Sequence, residues 1–248
     1  MSPIKTLAIV LKSIDWKDTS RIVTLFTREN GKMNVIAKGA RRANSRYRGV
    51  LESINLIEII VYLSSNRQIQ ILGQADLEAS FTQIKADYDK TACTFALLEI
   101  TDVFFQHGSG DPVYFDFIKA LMYEMIKIEN PLIIFWYFLI KLSSYLGFRP
   151  EFKICKQCKR KIESGEGVFS IKEGVVYCNA CGDSVSDGWK LSQPVRDFLT
   201  RLQHSNHKSI SGRLFTGIPR FPFTDFLLLY LRYHSEEKLE LSALKLFK

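Results

Sequence analysis

The stretch Ile22-Val-Thr-Leu-Phe-Thr27, Arg28-Glu-Asn-Gly31, Lys32-Met-Asn-Val-Ile-Ala37 decides the fold. Two runs rich in β-branched and apolar residues flank Asn30-Gly31. An Asn-Gly pair in that setting predicts a two-residue hairpin, because a type I′ turn needs positive φ at both central positions. Working outward, further apolar or alternating runs stand at Leu7–Leu11, Ile54–Leu63 and Gln68–Leu72, and Ser64-Ser65-Asn66 marks a second hairpin. Five short strands in residues 1–80, with a longer connection between the third and fourth, fit a small closed barrel such as an OB-fold. The pattern alone equally allows an SH3-like barrel.

After Gln74 the texture becomes helical. Tyr88 to Gln106 carries apolar residues at helical spacing and stops at His107-Gly108, where glycine suits the position after a helix end. Asp111-Pro112 and Asn130-Pro131 each place a capping residue before proline, which predicts helices near 112–128 and 131–146, the second closed by Gly147. Ser192-Gln193-Pro194 opens another, and a largely buried helix begins near Thr224. The expected class is α+β multi-domain: a five-stranded OB-fold barrel at 1–80, a helical domain in two parts at 81–150 and 191–248, and an inserted cysteine module at 151–190.

Composition agrees with a folded chain. Of 248 residues, 46% are hydrophobic and 24% charged, too apolar for disorder and enough for a sizeable core. Thirty-four basic against 26 acidic side chains give a net charge of +8, which favours a polyanionic partner. The excess is uneven: +5 in residues 1–80, −2 in 81–150, +1 in 151–190 and +4 in 191–248. The N-terminus has no leader pattern, and the apolar run Pro131–Ile140 is half the roughly 20 residues a bilayer span needs, so it reads as a buried core helix. An odd cysteine count without an export signal argues against disulfides; a cytoplasmic protein is expected, with no membrane partner.

The strongest chemical signal is Cys155-Lys-Gln-Cys158, then 19 residues, then Cys178-Asn-Ala-Cys181. Each C-x-x-C grips an ion from a tight turn, and two such knuckles complete a tetrahedron around Zn²⁺. Val168–Ile171 and Val175–Tyr177 flank Glu173-Gly174 as a hairpin between them, a zinc-ribbon topology, and Gly182 suits the same tight geometry. The competing readings are a redox pair or chance. Four thiolates leave no open position, so one structural zinc per chain is expected. Cys93 lies inside a predicted helix and reads as a small core residue.

The second signal is basic. From Arg28 to Arg48 there are seven basic residues against one acid, Glu29. A mobile, Arg-rich connection on a small barrel suits phosphate contact, and Tyr47 is placed to stack on a base; the bland alternative is a solvated loop. The expected patch is Lys38, Arg41, Arg42, Arg46 and Arg48, with Arg21 and Lys32 nearby on the barrel. Arg201, Lys208, Arg213 and Arg220 are weaker candidates for a further basic surface. Phe104-Phe105 and Phe135–Phe138 read as core, His204 and His207 as a polar loop, and His107 and His234 as solvated helix ends. No phosphate-loop, dinucleotide, zinc-protease or nucleophile-elbow motif is present, and Asp15, Asp18, Asp87 and Asp89 have no spacing that enforces a two-metal site. No catalytic residue is assigned.

These residues resemble a known family. Asp18-Thr-Ser-Arg21 through Thr27, Glu29-Asn-Gly31 and Lys38-Gly-Ala-Arg-Arg42 are similar to the N-terminal domain of bacterial RecO, the recombination mediator of DNA repair. Leu146-Gly-Phe-Arg-Pro150 before the first knuckle, Leu191-Ser192 after the second, and Leu231-Arg-Tyr233 extend the similarity along the chain in order. The resemblance implies an OB-fold followed by a helical domain interrupted by a zinc module. It also implies nucleotide-independent binding of single- and double-stranded DNA, annealing of complementary strands, and partnership with RecR. Further partners implied are the C-terminal tail of the single-strand DNA-binding protein and, indirectly, RecA; RecF is admitted as another. Leu51-Glu-Ser-Ile54 departs from the family by lacking a proline and an aromatic, so a different start to strand four is expected. Two readings from other classes stand beside the mediator: a zinc-ribbon and OB-fold adaptor for proteins without intrinsic annealing, and a nucleic-acid enzyme with an unrecognised site.

Overall fold

The computed structural model describes residues 2–105, 108, 110–183, 185–186, 188–210, 217–235, 237, 239 and 241–243. Five strands, β1 (Ser2–Trp16), β2 (Ser20–Thr27), β3 (Gly31–Ala37), β4 (Leu56–Leu63) and β5 (Ile69–Ala79), close into a barrel of order β1-β2-β3-β5-β4. Closure comes from a short parallel pairing, Asn34↔Ile69 to Ile36↔Ile71, which settles the barrel as OB-like. β1 is three times the length of its apolar run Leu7–Leu11 because it pairs on both sides, with β4 over residues 2–9 and with β2 over residues 8–16. A bulge between Val10 and Lys12 lets it turn the corner. β5 continues to Ala79, past the point where Gln74-Ala-Asp-Leu-Glu-Ala79 reads as helical. Its ladder with β4, to Leu56↔Ala79, overrides the local propensity of Ala, Leu and Glu.

Inward side chains alternate as the pleat requires. Val23, Leu25, Met33, Val35, Ile57, Ile59, Val61 and Leu72 fill the barrel. The predicted type I′ turn is absent: Thr27 pairs with Gly31 and only Gly31 has positive φ (64°), which makes a three-residue loop closed by a left-handed glycine. Strand four begins at Leu56, two residues after the start of the predicted run, because Ile54 takes an unusual φ of 75° and donates its N–H to the Val10 carbonyl.

Helices follow as α1 (Thr82–Lys85), α2 (Tyr88–Phe104), α3 (Pro112–Lys127), α4 (Pro131–Tyr145), α5 (Gln193–His204) and α6 (Phe223–Ser235). Asp87 caps α2 on the Lys90 N–H and Asn130 caps α4 on the Leu132 N–H; Gly147, at φ 96°, follows the end of α4. The predicted end of α2 at His107 and the weak candidate Arg213 lie outside the described residues. Between α4 and α5, β6 (Gly167–Ser170) pairs antiparallel with β7 (Val175–Cys178) and with a third strand, β8 (Gly188–Leu191). No described helix is long and apolar enough to cross a membrane.

The chain divides into two compact units, one of residues up to Ile126 together with the segment from Leu241, the other spanning Lys127 to Glu240. In the first, Phe26 points out of the barrel onto Phe105, Tyr114 and Phe115, at 5.4–5.9 Å between ring centres. In the second, Trp136 of α4 lies against Phe198 and Phe223, while Phe169 of the ribbon meets Phe152, Phe226 and Tyr230. Each fully buried aromatic of this kind contributes about 1.5–3 kcal/mol. The ribbon is therefore part of the second unit's core.

Candidate nucleic-acid interface and metal centre

The connection between β3 and β4 folds as consecutive turns, with N–H to C=O bonds Arg42 to Gly39, Ser45 to Arg42, Arg48 to Ser45 and Val50 to Tyr47. Its apolar members close the barrel: Tyr47 (4% exposed) and Leu51 (1%) join the barrel core with Ala40 and Val50 beside them. This corrects two expectations. The connection is an anchored plug, because Ala40, Tyr47, Val50 and Leu51 are apolar enough to pack into the barrel mouth. Tyr47 does not present its ring to a base; its hydroxyl donates to the carbonyls of Leu72 and Gly73.

Anchoring the apolar members leaves the basic ones outside. Lys38, Arg41, Arg42, Arg46 and Arg48 are exposed, and Lys38, Arg42 and Arg48 form no ion pair or side-chain hydrogen bond with the described residues. Arg41 is positioned: its Nε lies 3.2 Å from Asp15, its Nη1 donates to the carbonyls of Lys17 and Asp18, and its N–H donates to Thr19. Asp15 also takes Arg21 at 3.0 Å, so this one carboxylate brings Arg21 and Arg41 together at the β1–β2 tip. Composition had left Asp15 among scattered acids; the signal was the hairpin register, which sets Asp15 opposite Arg21. Arg46 donates to the Gly73 carbonyl and lies over the edge of Tyr47, 5.0 Å from its ring centre. Lys32 is not brought to this group. Its ammonium is held by Asp102 of α2 at 2.7 Å, and its side chain is 20% exposed.

The two knuckles meet as their spacing predicts. The sulfurs of Cys155, Cys158, Cys178 and Cys181 all lie within 4.8 Å of one another. The Cys158–Cys178 separation of 3.9 Å matches the about 3.8 Å edge of a tetrahedron with 2.3 Å Zn–S bonds. Burial pushes the Cys155 thiol up, but N–H donors of Cys178, Cys158 and Gln157 outweigh it and bring it down to about 6. Cys181, beside Cys178, is pushed up to about 12. Four thiolates this close ionise together only around a cation. Gly182 serves by close approach, since a Cβ there would lie 2.8 Å from the Val168 side chain.

Two residues of the second unit carry more than their sequence positions suggested. Arg196 of α5, 1% exposed, donates to the carbonyls of Ile162 (2.8 Å) and Gly165 (2.8 Å) and so fixes the loop between the first knuckle and β6. Nothing local marks it, because an arginine in an amphipathic helix ordinarily faces water. His234 is half-buried, stacked on Phe148 at 5.2 Å, with Nε2 2.8 Å from the Ile171 carbonyl. It is not the solvated helix end expected, because the apolar neighbours come from elements far away in sequence. His204 contacts the Thr200 carbonyl and Arg149, and among the described residues it belongs to no metal cluster. Cys93 is fully buried in α2, and burial lifts its thiol to about 12, as a core residue requires.

Comparison with known proteins places this geometry. The family described as recombination protein O, N-terminal, matches residues 1–81, and its C-terminal counterpart matches residues 85–242. A DNA repair protein RecO of Desulforamulus reducens is 25% identical over 233 residues, covering 94% of this chain and 90% of the relative. That of Caldanaerobacter subterraneus subsp. tengcongensis is 29% identical over 94% and 93%. That of Oceanobacillus iheyensis is 31% identical over 82% and 78%.

Proposed function

The chain belongs to the RecO family of DNA repair proteins, and from that premise we propose that it is a recombination mediator without a catalytic site of its own. In this reading it binds single- and double-stranded DNA, anneals complementary strands, and works with RecR, and with RecF where present, to load RecA. RecA is loaded onto strands covered by the single-strand DNA-binding protein, whose acidic, hydrophobic C-terminal tail this chain engages. Its place of action is the bacterial cytoplasm, on the nucleoid when DNA is bound.

The observation that carries the reading is the plugged barrel mouth: apolar residues of the β3–β4 connection are anchored inward while Lys38, Arg41, Arg42, Arg46 and Arg48 are left exposed. An array of exposed cations meets phosphates without reading base edges, which is what pairing arbitrary sequences requires. Neutralising phosphate on two strands lowers their repulsion, so annealing needs no proton transfer and no nucleotide. Arg21 supports Arg41 through the Asp15 they share, whereas Lys32 belongs to the contact with α2. The four cysteines suit one structural Zn²⁺, which supplies the cross-link between the knuckles and nothing to the annealing step.

The test is nucleotide-free annealing of two complementary labelled oligonucleotides across a salt series, with zinc determined on the same sample. Acceleration that fades as salt rises, with about one zinc per chain, is the expected result. A zinc-loaded folded chain that neither binds nor anneals DNA overturns the reading and leaves the protein adaptor.

A further inference from the structure

Outward side chains of the barrel fall into cross-strand rows. One row is Ile14↔Ile22, Ile22↔Ile36 and Ile36↔Ile71, apolar on four successive strands in register. Strands spaced about 4.8 Å apart make this row roughly 14 Å long. Trp16 lies on the same face of β1 as Ile14, two residues on, and Ile69 on the same face of β5 as Ile71. Ile14 is 44% exposed, Trp16 43% and Ile69 38%. At the far end of β2, by contrast, Phe26 is fully covered by aromatics from α2, α3 and the residue after α2. Among the described residues, the Trp16 indole has no hydrogen bond and no aromatic partner. An in-register apolar surface of this kind on a small barrel is expected to have an occupant.

Charge narrows what that occupant is. Residues 12–48 hold ten basic and three acidic side chains; Arg28, Lys32 and Glu29 are taken by Asp116, Asp102 and Thr6, which leaves eight basic against two acidic for this face and the connection beside it. Asp15, the residue before Trp16, points to the opposite face of β1 and there holds Arg21 and Arg41 at the same hairpin tip, while Lys12, opposite Thr24, shares the outward face with the row. The occupant is therefore anionic and presents flat apolar surface. A single DNA strand does both, and barrels of this topology present the face of their second and third strands to oligonucleotides. A duplex offers its phosphates but keeps its base faces stacked on one another.

We propose that the Trp16 face takes unpaired nucleobases beside the basic connection, so that Trp16 sets the preference of this chain for single strands over duplex. The inference rests on the DNA-binding reading. The exposed indole stacks on one base, the isoleucine row carries its neighbours, and Arg41 and its basic companions hold phosphates of either form.

The full-length chain and its Trp16→Ala and Trp16→Tyr variants are titrated by fluorescence anisotropy against an oligothymidylate and a duplex of equal length. Trp16→Ala is expected to weaken oligothymidylate binding about tenfold with the duplex affinity unchanged, and Trp16→Tyr to restore most of it. Indole emission gives a second readout, since Trp136 and Trp189 lie in the other unit. Quenching by oligothymidylate is expected in the wild type and lost in Trp16→Ala. Equal loss on both DNAs, or none on either, overturns the proposal, and the latter outcome leaves an acidic protein segment as the occupant. Failure of the wild type to bind either DNA instead overturns the mediator reading itself.

Discussion

The Asp116 carboxylate shows how single residues tie the helices of the first unit to its barrel. Hydrogen bonds from Arg28 in the β2–β3 loop and from Lys119 hold it at about 2, below the usual carboxylate range. A depressed folded-state value means the pair adds stability above the unfolded value near 4 and loses it as pH falls toward 2. Asp116→Asn is therefore expected to lower stability at neutral pH and to match the wild type near pH 2, with a modest gap because both partners are partly exposed. Acid and denaturant titrations followed by circular dichroism check this; equal stability at neutral pH contradicts it. Residue by residue, the sequence was legible where chemistry is local and opaque where it is not. The cysteines and the caps of α3 and α4 could be read from spacing alone. Tyr47, Lys32 and His234 could not, because the Leu72, Asp102 and Phe148 that claim them are 25, 70 and 86 positions away.

At the scale of elements, the ribbon joins metal binding to packing. Phe152, three residues before Cys155, stacks on Phe169 of β6, and Phe169 in turn meets Phe226 and Tyr230 of α6, so the sulfur cluster and the aromatic core support each other. Stripping the metal with a chelator is expected to lower the melting temperature of the second unit and to loosen α6. Affinity of the barrel's basic patch for DNA should persist, since it lies in the other unit. Calorimetry with and without chelator, followed by zinc re-addition, checks the point, and an unshifted transition contradicts a structural metal. The elements were legible where period and punctuation agree, as in α4 between Asn130-Pro131 and Gly147. β5 was half-legible, because Gln74–Ala79 is strand only through its partner β4. The third ribbon strand, β8, was missed for the same reason: its four residues have no pattern until β6 pairs with them.

For the molecule as a whole, charge placement matters more than the net value of +8. Charge reversal of both Arg41 and Arg42 is expected to weaken DNA binding and flatten its dependence on salt, each lost phosphate contact lowering the log–log slope by roughly 0.7–0.9. Affinity measured across a salt series checks this, and an unchanged slope removes these residues from the interface. The first unit also has a property that bears on how the molecule is made. It is discontinuous: its barrel and α2 come early, yet Leu241 and Ala243 are buried in it, and the Ala243 N–H donates to Glu99 of α2. A ribosome delivers the N-terminal part first, but that part lacks its last pieces until the whole of the second unit has been synthesised. The nascent barrel must wait through more than a hundred residues of translation with part of its helical layer uncovered, and during that interval it depends most on whatever shields apolar surface at the ribosome.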